Sequence, residues 1–415
     1  MPRKFEELSA FSQSKGRRWF EICRVWFISV NLAAELARIR IVLAANVVDG
    51  YPSEFEYTRD FLLENGIGNL TTISHPLQKR SEGISRFTNY INGKEARTRS
   101  ISRPNFPPST HVIDFATGLL PLKADIWIGF NPIMTAMGAL VPRSKVLANW
   151  AIDFVPSRGT NGLAENIYRG IEGFMMNRID AQIENTIAAL EARSTLTGRN
   201  PKCQIIAPIG VWHDSFSKPQ PARHAQRRVV YFGSLDERNG VPFLSEVFPL
   251  MLNQDSNLLI DVIGEGEYSP LMVDLAHQFP AQFTYHGYIE NQGQIDEILR
   301  CSVVAVAPYD ESPGSFTHFA DPQKLKYYAS NGVPTILTNI APAAEQMENS
   351  RAAVLLSQSD GHSKWVDTIF HWLDDPDDWF AHATNSHNYA LNFERKHVYT
   401  QTFLTLLNLV TEKYK

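Results

Sequence analysis

Apolar positions along this chain fall into two patterns: short continuous runs rich in β-branched residues, and longer segments with helical spacing. The first strand is predicted over Ile39–Asn46. The turn residues Asp49, Gly50, Tyr51 and Pro52 follow, then an amphipathic helix over 54–65 closed by Gly66, then a strand at Leu70–Ile73. Strand, loop, helix and strand in that order imply parallel pairing. Residues 77–110 are polar, contain Pro104, Pro107 and Pro108, and read as irregular. A buried strand is predicted at Ala124–Phe130, with Asn131 and Pro132 turning into a helix of small residues. Another strand at Val146–Ile152 exits into Asp153. The stretch 163–193 reads as one long helical region, and Gln204–Ala207 as a short strand.

The second half is more regular. Strands are predicted at Arg228–Phe232, Leu258–Ile263, Phe283–His286, Val303–Ala307, Pro334–Leu337 and Ala353–Leu356. Helical patterns at 241–252, 270–279, 292–299, 322–331 and 342–349 lie between them, and the last helices run from 377 to 413. Alternation of this kind builds a doubly wound α/β domain. The expected organisation is an N-terminal extension (1–38), a first Rossmann-like domain (39–213), a polar linker with Pro219 and Pro221 (214–226), a second Rossmann-like domain (227–376), and C-terminal helices (377–415) that cross back to the first.

A chain of 415 residues exceeds the size at which single cores stop growing, which agrees with two domains. The net charge of −5 argues against a nucleic-acid binder. Cys23, Cys203 and Cys301 show neither a disulfide framework nor zinc spacing, and read as small buried residues in a reducing, cytoplasmic compartment. No stretch approaches the length of a membrane span. Residues 1–40 stand apart, with eight Arg and Lys against four Glu, interleaved with Trp19, Phe20, Trp26 and Phe27. Such a segment suits peripheral contact with the inner face of a membrane, a packing arm, or an extension ahead of the domain.

Ligands of open α/β sheets bind beyond the carboxyl ends of the strands. In the second half these exits carry Gly233, Gly264 with Gly266, Gly287, and the segment from Pro308 to Phe316 with Gly314. Asp321 as an N-cap and Pro322 in a first turn would open a helix there. Lys324, one turn in, would offer a point charge for a phosphate. The chain lacks GxGxxG after its first strand, GxxxxGK[ST], HExxH and GxSxG, which argues against dinucleotide redox enzymes, P-loop NTPases, zinc proteases and serine hydrolases of those types.

Five segments together resemble the retaining glycosyltransferases of the "group 1" family, of GT-B fold: 207–216 (APIGVWHDSF), 229–241 (VVYFGSLDERNGV), 261–266 (DVIGEG), 283–289 (FTYHGYI) and 321–336 (DPQKLKYYASNGVPTI). The resemblance implies two Rossmann-like domains with an interdomain cleft. It implies a nucleotide-diphospho-sugar donor on the second domain, and a glycan, lipid-linked or small-molecule acceptor on the first. It implies no bound metal and no cofactor beyond the donor. The glycine loop at Gly233 with Arg238, Gly266, and the segment holding Ser315, Phe316 and Lys324 would hold phosphates and sugar. Tyr288 and Ile289 would meet the base, and Gly50 would lie near the transferred group. Three positions depart from the family: Tyr327 replaces the acid that holds the ribose, and Ser234 and Asn239 replace the cationic pair at the diphosphate. Arg238 and Lys324 are the substitutes in sequence. Asp153, at a strand exit, is the candidate acid/base or acceptor-orienting carboxylate. The departures also admit a catalytically silent module that binds a sugar nucleotide or a partner enzyme.

Overall fold

A computed structural model describes residues 32–47, 53–76, 84–102, 123–140, 144–155 and 162–413. The chain forms two compact units. Among the described residues, 32–208 with 398–413 form the first and 209–397 the second. The expectations for the N-terminal extension ahead of Leu32, and for Asp49 and Gly50, lie outside the described residues.

The first unit holds helices α1 (Leu32–Leu36), α2 (Glu54–Glu64), α3 (Pro132–Leu140), α4 (Gly162–Met176) and α5 (Ile187–Thr197). Its strands are β1 (Arg40–Ala45), β2 (Asn69–Ser74), β3 (Ile84–Ile91), β4 (Lys94–Ser102), β5 (Ala124–Gly129), β6 (Ser144–Ala151), β7 (Ala181–Glu184) and β8 (Cys203–Ile206). They form one sheet in the order β4-β3-β2-β1-β5-β6-β7-β8, parallel except at β2–β3 and β3–β4. β5 is buried at every position, as a central parallel strand covered on both faces must be.

Two sequence expectations fail here. Residues 84–102 are not irregular but a hairpin, turned by Asn92 (φ 49°) and Gly93 (φ 76°), the positive-φ pair that matches strand twist. The stretch 163–193 is not one helical region: β7 interrupts it, four residues long and wholly buried.

The second unit has strands β9 (Arg228–Phe232), β10 (Leu259–Ile263), β11 (Phe283–Gly287), β12 (Val304–Ala307), β13 (Thr335–Leu337) and β14 (Ala353–Leu355). Its helices are α6 (Val241–Gln254), α7 (Ser269–Gln278), α8 (Gln292–Cys301), α9 (Gln323–Ser330), α10 (Ala344–Asn349), α11 (His362–Asp374) and α12 (Pro376–Ala390). The all-parallel sheet runs β11-β10-β9-β12-β13-β14. Numbered within the unit this is 3-2-1-4-5-6, the doubly wound order whose switch point lies between its first and fourth strands. Helix α11, absent from the sequence expectation, buries Trp365 and Trp372, and α12 buries Trp379 against the same core.

Residues 214–226, read from sequence as a linker, pack within this unit: Arg223 donates to the carbonyls of Asn331 (2.7 Å) and Gly332 (3.1 Å), and His224 meets that of Trp372 (2.9 Å). The last helix, α13 (Arg395–Glu412), returns to the first unit. There Tyr399 and Phe403 pack on Phe61 and Trp150, and the Tyr399 hydroxyl donates to Glu54 (2.6 Å). Among the described residues no helix is long and apolar enough to cross a membrane.

Candidate donor site at the switch point of the second sheet

The exits of β9, β10 and β11 lock together through backbone atoms. The amide of Gly233 donates to Ile263 (2.9 Å), that of Leu235 to Glu265 (3.0 Å), and that of Gly264 to Gly287 (2.8 Å). Gly233 has φ 142°, in the region that favours glycine, and a Cβ there would lie 3.2 Å from the Lys324 ammonium. A Cβ on Gly266 would lie 2.2 Å from the Leu235 carbonyl oxygen, so its role is close packing of two loops.

Lys324 is the centre of the arrangement. It stands on α9, is 7% exposed, and donates to Asn239 Oδ1 (2.7 Å). Its Nζ lies 4.7 Å from the ring centre of Tyr231 and 4.5 Å from that of Tyr309. No carboxylate among the described residues lies within ion-pair distance. Burial pulls the ammonium down to about 7, and the more distant charge of Asp236 opposes this only in part. Two neutral supports, an amide and aromatic faces, thus hold an amino group that has no carboxylate partner among the described residues.

Asn239 in turn donates to Asp236 through its amide side chain (2.7 Å) and backbone N–H (3.0 Å). Burial works against ionisation of Asp236, but Arg238 and Asn239 outweigh it and hold the carboxyl below its ordinary range. Lys324 Nζ therefore lies beside Asn239, the position that the resemblance aligns with the family's lysine. The sequence marks Asn239 only as a departure from the family's cationic pair at the diphosphate; Tyr231 and Tyr309, aromatic residues inside apolar runs, carry no sequence signal of a site.

The other expected residues divide. Arg238 pairs with Asp236 (2.8 Å), and its guanidinium lies 4.9 Å from the ring centre of Phe316, so these two meet as expected of one site. Ser315 is 5% exposed and caps a short turn, its hydroxyl accepting from the Thr317 amide (3.4 Å). Tyr288 is exposed at 65%, and the half-buried Ile289 packs on the core beside it. Tyr327 is 4% exposed. It faces Phe232 across 6.4 Å, and its hydroxyl accepts from Gln323 (3.3 Å).

The N-cap of α9 is Pro322, not Asp321. The Asp321 carboxylate turns instead to the Ile209 amide (2.7 Å) and to the ammonium of Lys326, because a charge-assisted pair holds it more strongly than a capping bond would. Asp153 belongs to the first unit, exposed beyond β6. Its loop is held from behind: its carbonyl accepts from Arg193 (3.1 Å), and that of Ile152 from Asn185 (2.5 Å).

Residues 226–375 match a family model described as "Glycosyl transferases group 1". No curated protein matches the chain. Among solved structures, sucrose-phosphate synthase of Thermosynechococcus elongatus is similar with 12% identity and a TM-score of 0.66, over 90% of this chain and 100% of that one. HepE of Anabaena in complex with UDP is similar with 12% identity and a TM-score of 0.59, over 89% and 99%. TarM is similar with 14% identity and a TM-score of 0.55, over 78% of this chain; this chain spans 64% of the length of TarM. Residues 226–375 thus match a glycosyl transferases group 1 domain, and the chain has the GT-B fold of these structures.

Proposed function

We propose that this enzyme transfers a sugar, with retention, from a nucleotide-diphospho-sugar bound at the carboxyl ends of β9 and β12 to a glycan, lipid-linked or small-molecule acceptor. The observation that carries the reading is Lys324, a buried amine with no carboxylate within ion-pair distance among the described residues, at the topological switch point of the second sheet. A diphosphate would supply the missing charge. Lys324 then stabilises the leaving nucleoside diphosphate as negative charge grows on it, the role that a metal ion fills in other enzymes. Arg238, half in solvent, offers a second, weaker contact. Tyr288 and Ile289 flank the base, as the resemblance implies. The neighbour HepE was solved with UDP, which makes a uridine nucleotide the first to try.

Asp153 is the residue we assign to orient or deprotonate the acceptor hydroxyl. Its loop is fixed by Arg193 and Asn185 while the carboxylate itself is exposed. Asp153→Asn is expected to lower turnover by roughly 100-fold or more with donor affinity unchanged. The direct test of the whole reading is a thermal-shift and hydrolysis screen over nucleotide-sugars. One donor should stabilise the protein and be slowly cleaved to free sugar.

Tyr327 favours a second reading, a silent module that binds a nucleotide and transfers nothing. It stands where the family has its ribose-holding acid, and its hydroxyl is already engaged by Gln323. Stabilisation by a donor with no hydrolysis and no transfer would decide for that alternative.

A further inference from the structure

The segment 308–322 turns over the carboxyl end of β12 and carries three carboxylates and one imidazole. All three carboxylates are engaged. Asp310 accepts from the amide (3.2 Å) and hydroxyl of Ser312, and Glu311 from the Ser357 hydroxyl (2.8 Å) and the Gln358 amide (2.9 Å). Asp321 holds the Ile209 amide and Lys326.

His318 differs. Its Nε2 is shielded from solvent and has no hydrogen-bond partner among the described residues. The backbone carbonyl of Ser312 faces the ring, which leaves Nδ1 to donate to it. The tautomer that satisfies Ser312 therefore leaves a bare lone pair on Nε2. Burial pushes the imidazole below its ordinary range, against smaller opposing effects of the Ser312 carbonyl and Asp310.

The turn that carries His318 is fixed at both ends: the amide of His318 donates to the Ser315 carbonyl (3.4 Å) and that of Phe319 to the Phe316 carbonyl (2.9 Å). Phe316 in the same turn meets Arg238 of the donor loop, which brings the turn to the site. Tyr309 Oη is the other unpartnered polar atom of the segment, but its residue is 3% exposed and packs in the core beneath Lys324.

We propose that His318 Nε2 accepts a hydrogen bond from one hydroxyl of the donor's sugar and so helps select which sugar is taken. This rests on reading the switch point as the donor site. A shielded acceptor without a partner is satisfied by a ligand O–H and rejects an analogue lacking it, because the nitrogen is then left bare. No carboxylate of the segment is left to do this work.

The test begins with parent protein and a panel of UDP, GDP, ADP and their glucose, galactose and N-acetylglucosamine conjugates. The best-bound conjugate is then compared with its single-deoxy sugar analogues. Parent protein is expected to lose about tenfold in affinity for one deoxy analogue. His318→Phe should lose about tenfold for the intact conjugate, less than twofold for the free nucleoside diphosphate, and nothing more for that deoxy analogue. His318→Gln, which keeps an acceptor, should recover part of the loss. Equal losses for conjugate and nucleoside diphosphate, or a parent indifferent to every deoxy analogue, would overturn the proposal. The deoxy series needs no variant to fold. A parent that binds no member of the panel would overturn the donor-site reading itself, and this assignment with it.

Discussion

Lys324 and Lys326 stand two positions apart on α9, and both are buried, at 7% and 2% exposure, yet their surroundings are opposite. Lys326 meets the carboxylate of Asp321 and donates to the Ile209 carbonyl (2.9 Å), so its charge is matched inside the protein. Lys324 meets an amide and two aromatic faces. A buried ion pair completes itself and belongs to the fold. A buried cation on neutral supports is incomplete, and what completes it comes from outside. The same helix thus carries one lysine paired inside the protein and one to which the proposed function assigns an external anion.

The largest expected effect falls on the paired lysine. Lys326→Met leaves the Asp321 carboxylate buried without its cation, held by the Ile209 amide only, which should cost about 3–5 kcal/mol in urea unfolding, with no selective effect on nucleotide binding. Lys324→Met should do the reverse. Stability should stay within about 1 kcal/mol of the parent, while nucleoside-diphosphate affinity falls roughly 10- to 100-fold, the worth of one charge-assisted hydrogen bond. The matched nucleoside, which lacks phosphates, should bind as before; calorimetry with both ligands measures the split.

Asn239→Asp would give Lys324 the partner it lacks and make the two lysines alike. It should weaken diphosphate binding several-fold, on the order of 1 kcal/mol, and also lower stability, since Asp236 loses the Asn239 amide donor and faces a second carboxylate. Tyr327→Phe should change the affinity for either ligand by less than about twofold, since the ring packs in the core and the hydroxyl serves Gln323. A larger loss shared by nucleoside and nucleoside diphosphate would instead put that hydroxyl on the ribose.

How much of this was legible in sequence differs between the two units. In the second, strands and helices alternate as uninterrupted apolar runs, so all six strands and the glycines at their exits could be read directly. The pairing of Lys324 with Asn239 could not, since residues 85 positions apart meet only through the parallel crossover of β9 and β12.

In the first unit, polar residues at buried positions hid structure. Across β7, Gln182 and Glu184 belong to a chain of contacts running from Asn149 through Gln182 and Glu184 to Arg193 and Glu172. Burial pushes Glu184 up to about 7, with Arg193 opposing. Charged positions of this kind read as a solvated helical face, and the strand was lost in it. The hairpin at 84–102 was hidden for the opposite reason: β4 is almost wholly exposed, so it had no apolar run, and only the Asn92–Gly93 turn marked it. The linker reading of 214–226 failed because two prolines and no periodicity describe a packed irregular segment as well as a free one.

Proton uptake on binding tests the central claim most directly. In the free protein Lys324 is pulled down to about 7, so near pH 8 it is mostly neutral. If the diphosphate is its counter-ion, binding raises it and the complex takes up a proton. A nucleotide-sugar is the ligand of choice, since its diphosphate does not itself titrate near pH 8. Calorimetry in buffers of different ionisation enthalpy should show uptake of nearly one proton at pH 8. Affinity should be level below about pH 7 and fall by up to about tenfold per unit above it, and Lys324→Met should abolish both effects. Binding without proton uptake, or an uptake that persists in Lys324→Met, would contradict the account.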